Sequence, residues 1–309
     1  MNRFLALDVG GSHIACAVVA DDRVIARDAI DLGGDARLAV HLPRIEAALA
    51  RLIAAAGPAE AMAIAFPALL DPHRQRVLST PKDKFEDAVG FDFAGWARQR
   101  FGVPLRMELD ARMALMGELR SGALKGATDA AMLTLGTGIG SAVVIDGTLL
   151  RGKHFAAGTL GGHLSRGIDG RACICGSVGC TEADASTWAL PAVAAAHRDY
   201  ADSALARAAP LDFAAVFSLA ASGDAVAVAV RDACIDAWAT AALNLVHAYD
   251  VEIVALGGGV MAAAATIVPR IQAHVARHCW TAWGTPTVVA GTLAGDAALI
   301  GAAQLWALP

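Results

Sequence analysis

Phe4-Leu5-Ala6-Leu7-Asp8-Val9-Gly10-Gly11-Ser12-His13-Ile14-Ala15-Cys16-Ala17-Val18-Val19-Ala20-Asp21-Asp22-Arg23-Val24-Ile25-Ala26-Arg27-Asp28-Ala29-Ile30 is the stretch that decides the fold. Residues 4–8 form an apolar run that stops at two glycines. Residues 14–20 are apolar again, and 24–30 follow the Asp21-Asp22 pair. Short runs bounded by turn residues predict three consecutive antiparallel strands with tight turns. A second cycle begins at residue 130. Residues 130–135 read as a strand, Gly136-Thr137-Gly138 as a turn, and 139–145 as a strand. Asp146-Gly147 is a hairpin turn into 148–151.

Between and after these lie the remaining elements. Residues 38–55 have helical apolar spacing, with Pro43 near the start. Residues 62–66 are a buried strand ending at Pro67, 103–108 another strand, and 110–121 a helix. Residues 152–182 are rich in Gly and Cys with little periodicity. From 185 the chain reads as mostly helical, apart from strands at 252–256 and 286–290, and it closes on a helix at 296–305. The order β-β-β-α-β-α-β-α thus runs through the chain roughly twice. That duplication predicts two α/β domains with a cleft between them.

Composition narrows the function classes. The chain has 309 residues, 56% hydrophobic and 18% charged, which suits a large packed core and excludes disorder. Its net charge is -5 and no run of Lys and Arg stands out, so no nucleic-acid partner is expected. The most span-like stretch, 225–248, carries Arg231, Asp232 and Asp236, so it reads as a buried helix and no membrane association is expected. The first residues fit no signal-peptide pattern, and a cytoplasmic location is expected. Six cysteines occur, three of them within 173–180, which in a cytosolic chain reads as metal binding rather than a disulfide framework.

Several motifs carry chemistry. Asp8-Val9-Gly10-Gly11-Ser12 joins the first two strands. It is either an ordinary hairpin or a phosphate loop, in which glycine amides approach an anion and the Asp holds Mg²⁺ or its water. Gly136-Thr137-Gly138 stands in the equivalent place of the second cycle, and two such turns favour a two-jawed phosphate clamp. Gly257-Gly258-Gly259 follows the strand at 252–256, as a tight connection or a resting place for a flat ring. Asp110 follows a strand and begins a helix. It reads as an N-cap, as a general base, or as both. His163 with Cys173, Cys175 and Cys180 has the spacing H-x9-C-x-C-x4-C, four ligands suited to a closed tetrahedral zinc site.

In this order, these residues resemble the ROK family (repressors, open reading frames and kinases) over essentially the whole chain. The similarity also includes Glu108, Gly117-Glu118, Asp146-Gly147, Gly152, Ala157-Gly158, Glu182 and Leu293-Ala294-Gly295-Asp296-Ala297. The resemblance implies an α/β, two-domain actin-like (ribonuclease H-like) ATPase fold with an interdomain cleft. The expected domains are 1–113 plus 295–309, and 114–294 with the zinc loop. It implies a sugar kinase using ATP and Mg²⁺, with Asp110 as catalytic base. Asp8, Gly10, Gly11, Ser12, Gly136, Thr137, Gly138 and Gly257 to Gly259 would bind ATP and its phosphates. His163, Glu182 and Pro67 would contact sugar, and His163, Cys173, Cys175 and Cys180 would hold structural Zn²⁺. A homodimer is expected by the same resemblance.

The departures are specific. The family's Asn before the catalytic Asp is here Leu109. Its Glu-x-Gly-His becomes Gly158-Thr159-Leu160-Gly161-Gly162-His163, with one extra residue and no carboxylate. Its Pro-Gly is here Pro67-Ala68. A site built to hydrogen-bond a substrate hydroxyl discriminates strongly when one of the partners is lacking. Two or three of these contacts are missing or replaced here, so the acceptor need not be a standard hexose. The alternative is a catalytically weak sugar-binding or sensing protein. A regulator is not expected, because the first strand starts at about Phe4, where the family's regulators carry a helix-turn-helix domain.

Overall fold

The computed structural model describes residues 2–71, 73, 75–81 and 83–306. The first half builds β1 (Arg3–Val9), β2 (His13–Ala20), β3 (Arg23–Asp31), α1 (Leu38–Ala56), β4 (Ala61–Phe66), β5 (Leu69–Asp71), β6 (Arg76–Ser79), α2 (Phe93–Phe101), β7 (Leu105–Leu109) and α3 (Asp110–Ser121). Its main sheet has the order β3-β2-β1-β4-β7, with β1, β4 and β7 parallel. Asp21 and Asp22 both take positive φ, as a two-residue hairpin turn with right-handed strand twist requires. β2 and β4 are buried almost throughout and β1 through its middle, so they read as unbroken apolar runs rather than alternations. The core below them gathers Leu5, Leu7, Ile14, Ile45, Leu49, Met62, Ile64 and Phe66, and Phe66 meets Phe85 and Phe93 edge-on at 5.6 and 5.7 Å. α1 has no side-chain cap of its own. Instead Leu38 N and Ala39 N each donate to the Asp87 carboxylate at 2.8 Å.

The second half builds β8 (Ala130–Leu135), β9 (Ile139–Ile145), β10 (Thr148–Leu149), α4 (Thr181–Ala185), α5 (Leu190–Ala195), α6 (Phe213–Ala221), α7 (Ala225–Tyr249), β11 (Ile253–Gly257), α8 (Ala264–His278) and β12 (Thr287–Ala290). The sheet order β10-β9-β8-β11-β12 repeats that of the first half strand for strand. α7 is the apolar stretch that resembled a span. Its Arg231 donates to Asp232 at 2.8 Å, and Trp238 is fully buried with Nε1 on Ala185 O at 2.9 Å. No helix among the described residues is long and apolar enough to cross a membrane. The last helix, α9 (Ala297–Gln304), returns to the first half.

The chain divides into two compact units. Unit 1 is Met1–Ala127, Leu150–Ala157 and Thr292–Pro309, and unit 2 is Thr128–Leu149 and Gly158–Gly291. The division falls at 127/128 and 291/292 instead of after 113 and before 295, because α3 packs along its length on α9. Residues 307–309, expected in the first domain, lie outside the described residues. The α3–α9 crossing is backbone to backbone. A β-carbon on Gly117 would collide with the Ala297 carbonyl, and one on Gly301 with the Met113 carbonyl. Gly301→Val is therefore expected to destabilise the protein by about 3 kcal/mol, the upper range for overpacking. Urea unfolding at pH 7 measures this, and a midpoint equal to wild type would contradict the packing described.

Candidate active site and metal centre

Unit 1 holds two carboxylates at strand ends. Asp8 lies near the end of β1, in register with Ala15 on β2 and Ala65 on β4. The turn that follows is closed by Gly10 N donating to His13 O at 2.9 Å, while Gly11 and Ser12 are exposed. Pro67 follows β4 and is half-buried beneath a tight turn in which Ala68 N donates to Phe66 O at 2.9 Å. Asp110 is the first residue of α3, directly after β7. Its Oδ1 accepts from Ala111 N at 2.7 Å. The N-cap position belongs to Leu109, so Asp110 is not the cap of its helix.

Burial raises the pKa of Asp110 above the ordinary carboxylate range. Burial, and after it the charge of Asp110, pushes Asp8 up to about 7. Among the described residues, no arginine or lysine forms an ion pair with either. Two neighbouring carboxylates without a cation favour a shared proton or a bound divalent ion. A base with raised pKa is also better matched to work near neutral pH.

Unit 2 places its candidate groups around Glu182. This residue stands in the first turn of α4, only 6% exposed. Its Oε2 accepts from Ile139 N at 2.7 Å and its Oε1 from Trp188 Nε1 at 3.2 Å. The carboxylate lies so close over Gly138 that a β-carbon there would meet Oε2 at 2.8 Å. His163 Nε2 is 4.0 Å from the same oxygen. Glu182 therefore links the Gly-rich turn to His163 through protein partners of its own. The turn is held from its other side by Thr187, whose N and Oγ1 both donate to Gly136 O at 3.0 and 2.9 Å. Thr187 and Trp188 belong to no motif in the sequence, and only the folded chain reveals them.

The other ring nitrogen of His163 faces cysteines. Nδ1 lies 3.6 Å from Cys173 Sγ, and Cys175 Sγ lies 3.6 Å from Cys180 Sγ. The four candidate ligand atoms all lie within 4.8 Å of one another, and all six cysteines are free thiols. A zinc tetrahedron with Zn–S bonds of about 2.3 Å has edges of about 3.8 Å, so this donor set fits the ion. The structure thus gathers all four sequence-predicted ligands at one point.

Gly257 ends β11. Gly258 adopts φ +90 and lies against the Leu135 carbonyl, which leaves no room for a β-carbon. Nothing lies within 4 Å of where a β-carbon would stand on Gly259 or Gly136, so both backbones are open to a ligand. The Gly257–Gly259 connection and the Gly136–Gly138 turn lie side by side, because β8 and β11 are neighbours in the sheet.

The ROK family model matches residues 4–308. The chain belongs to the ROK family. A glucokinase of Thermotoga maritima is 29% identical over 313 residues, covering 98% of this chain and 96% of that protein. An N-acetylmannosamine kinase of Haemophilus influenzae is 27% identical over 266 residues, 84% and 81% of the two chains. Among solved structures, a ROK family glucokinase from Streptomyces griseus, in complex with glucose and AMPPNP, superposes with a TM-score of 0.80. It is 28% identical and covers 98% of this chain and 99% of that one. The duplicated sheet of this ROK chain is accordingly the actin-like ATPase fold with two α/β domains.

Proposed function

We propose that this chain is an ATP-dependent sugar kinase that moves the γ-phosphate of ATP to a sugar hydroxyl. The observation that carries the reading is Asp110, a carboxylate of raised pKa at the C-terminal end of a parallel strand with no Arg or Lys ion-pair partner among the described residues. α/β folds place their chemistry at such strand ends. In the proposed reaction Asp110 accepts the proton of the acceptor hydroxyl as its oxygen attacks phosphorus. The Gly10, Gly11 and Ser12 backbone in unit 1, and Gly136, Thr137 and Gly138 in unit 2, offer amide donors to phosphate oxygens. Asp8 would hold Mg²⁺, directly or through its water, which fits a carboxylate of raised pKa that pairs with no Arg or Lys among the described residues. Bound Mg²⁺ supplies neutralisation of charge on the phosphoryl oxygens, where most catalysis of this reaction lies. Gly257 to Gly259 would lie against the nucleoside.

For the acceptor, His163, Glu182 and Pro67 are the proposed contacts. His163, Cys173, Cys175 and Cys180 would hold Zn²⁺, which would fix the His163 ring with Nε2 on the side of Glu182, the nitrogen left to meet substrate. The Leu109 side chain, immediately before the proposed base, can make no hydrogen bond, and Thr159 is buried at 7% exposure. These two positions favour an acceptor differing from glucose, and they also support a second reading as a weakly catalytic sugar-binding protein. Free thiols and ATP as donor fit a cytoplasmic protein, and a homodimer completes the proposal.

The test is ADP release from Mg-ATP over a panel of hexoses, N-acetylhexosamines, pentoses and sugar acids. Turnover with one sugar class is expected. Tight sugar binding by calorimetry with no ADP formed would instead establish the binding protein.

A further inference from the structure

Leu150–Ala157 is the short segment of unit 1 that interrupts unit 2, and it is built around one arginine. Arg112, two residues beyond Asp110, is buried with a side chain 2% exposed. Its Nη1 donates to Phe155 O at 2.9 Å and to Glu108 Oε1 at 3.3 Å. Its Nη2 donates to Leu150 O and Ala157 O, both at 2.9 Å. Four of its five donors are thus used, and only Nε lacks a partner. The loop closes on itself through Ala157 N to Arg151 O at 3.1 Å, with Gly152 and Phe155 in the left-handed region. Glu108, equally buried and two residues before Asp110, accepts from Leu109 N at 2.9 Å and pairs with Arg151 of the same loop.

Residue 110 is therefore bracketed. The residue two before it and the residue two after it both hold the same loop. A lysine could not reproduce this, since three carbonyls and a carboxylate are served by one planar fork. We propose that Arg112 is a positioning residue, which clamps the Leu150–Ala157 loop to the β7–α3 junction and so fixes Asp110, the group that would meet the acceptor hydroxyl. This rests on the kinase reading above. Lys153 and His154 are exposed in this loop, so the bond after Lys153 is open to a protease once the loop loosens.

The test is Arg112→Lys, which keeps the charge opposite Glu108 but loses the fork. Two readouts are taken. Native-state trypsin cleavage after Arg151 and Lys153 should quicken at least fivefold. In the ADP-release assay kcat should fall about 10- to 100-fold, the scale of a misplacement near 1 Å. The acceptor KM should rise at least fivefold while the MgATP KM stays within threefold. Unchanged cleavage overturns the clamp. Faster cleavage with unchanged kinetics overturns positioning, as does a lower kcat with both KM values unchanged, which a smaller folded fraction would produce. If Arg112→Lys does not fold, the Glu108→Gln, Arg112→Met double variant leaves no buried charge unpaired within that pair and is read the same way. A wild-type chain inactive on every sugar sinks the kinase reading, while trypsin still decides the clamp.

Discussion

Asp110→Asn is expected to lower kcat about 1,000-fold, within the range for loss of a positioned general base, with the MgATP KM within threefold of wild type. The amide keeps the size of the side chain and its acceptance from Ala111 N, so α3 should start at the same place. What it loses is the ability to take a proton. The pH dependence follows from the raised pKa of Asp110, whose first cause is burial. The base works only when ionised, so wild-type kcat should fall as pH drops, with its acid limb above the ordinary carboxylate range. In Asp110→Asn the residual rate should lack that limb. Stability should move in the opposite sense. A carboxylate whose folded pKa is raised contributes stability that is present below its unfolded pKa and lost as pH rises through the folded value. For Asp8 that window runs from near 4 up to about 7. The metal-free wild type should therefore melt at lower temperature at pH 7.5 than at pH 5 as far as this pair is concerned. Asp110→Asn, which removes the charge that helps raise Asp8, should narrow the difference. A mutant with wild-type kcat would remove Asp110 from the mechanism.

Much of this was legible because its causes are local. The Asp21-Asp22 and Asp146-Gly147 turns carry the positive φ values that hairpins need, and both turns form. The cysteine spacing spans few residues, so it foretold a cluster that the fold then closes with His163. Other features depend on partners distant in sequence and left no such mark. The β5–β6 hairpin is short and carries a register shift, so it shows little alternation. α2 begins Phe93-Ala94-Gly95 and is bounded by Asp92, whose side chain accepts from Gly95 N, a start with little helical apolar spacing to mark it. The family resemblance makes Glu182 an expected sugar contact. Its engagement with Ile139 N and Trp188 Nε1 depends on a residue 43 positions away and on a tryptophan outside any motif. Arg112 resembles any helix-surface arginine until the loop carbonyls that surround it are placed.

Replacing Cys180 by serine is expected to remove zinc from the purified chain and to impair both stability and turnover. Cys180 is fully buried and stands at the N-cap position of α4, two residues before Glu182. The ion would tie it to Cys173, Cys175 and His163, which come from a segment almost without regular structure. Such a segment has little apolar burial of its own, so metal–ligand bonds would carry its folding. Loss of about 3 kcal/mol in a domain of this size corresponds to a melting-point decrease of about 10 °C. The kinetic effect follows from Glu182, which both props the Gly138 turn and faces His163 Nε2. If α4 shifts, the Gly136–Gly138 turn and the proposed sugar contact His163 shift together. We expect kcat/KM for the sugar to fall at least 100-fold, with a rise in the MgATP KM as well, unlike the acceptor-only effect expected of Arg112→Lys. Cys279→Ser, outside the cluster, is the control and should match wild type in metal content, melting and rate. Elemental analysis finding no zinc in wild-type protein expressed in zinc-replete medium, with Cys180→Ser melting as wild type does, would leave the four residues as reduced, packed side chains and remove the ion from the proposal.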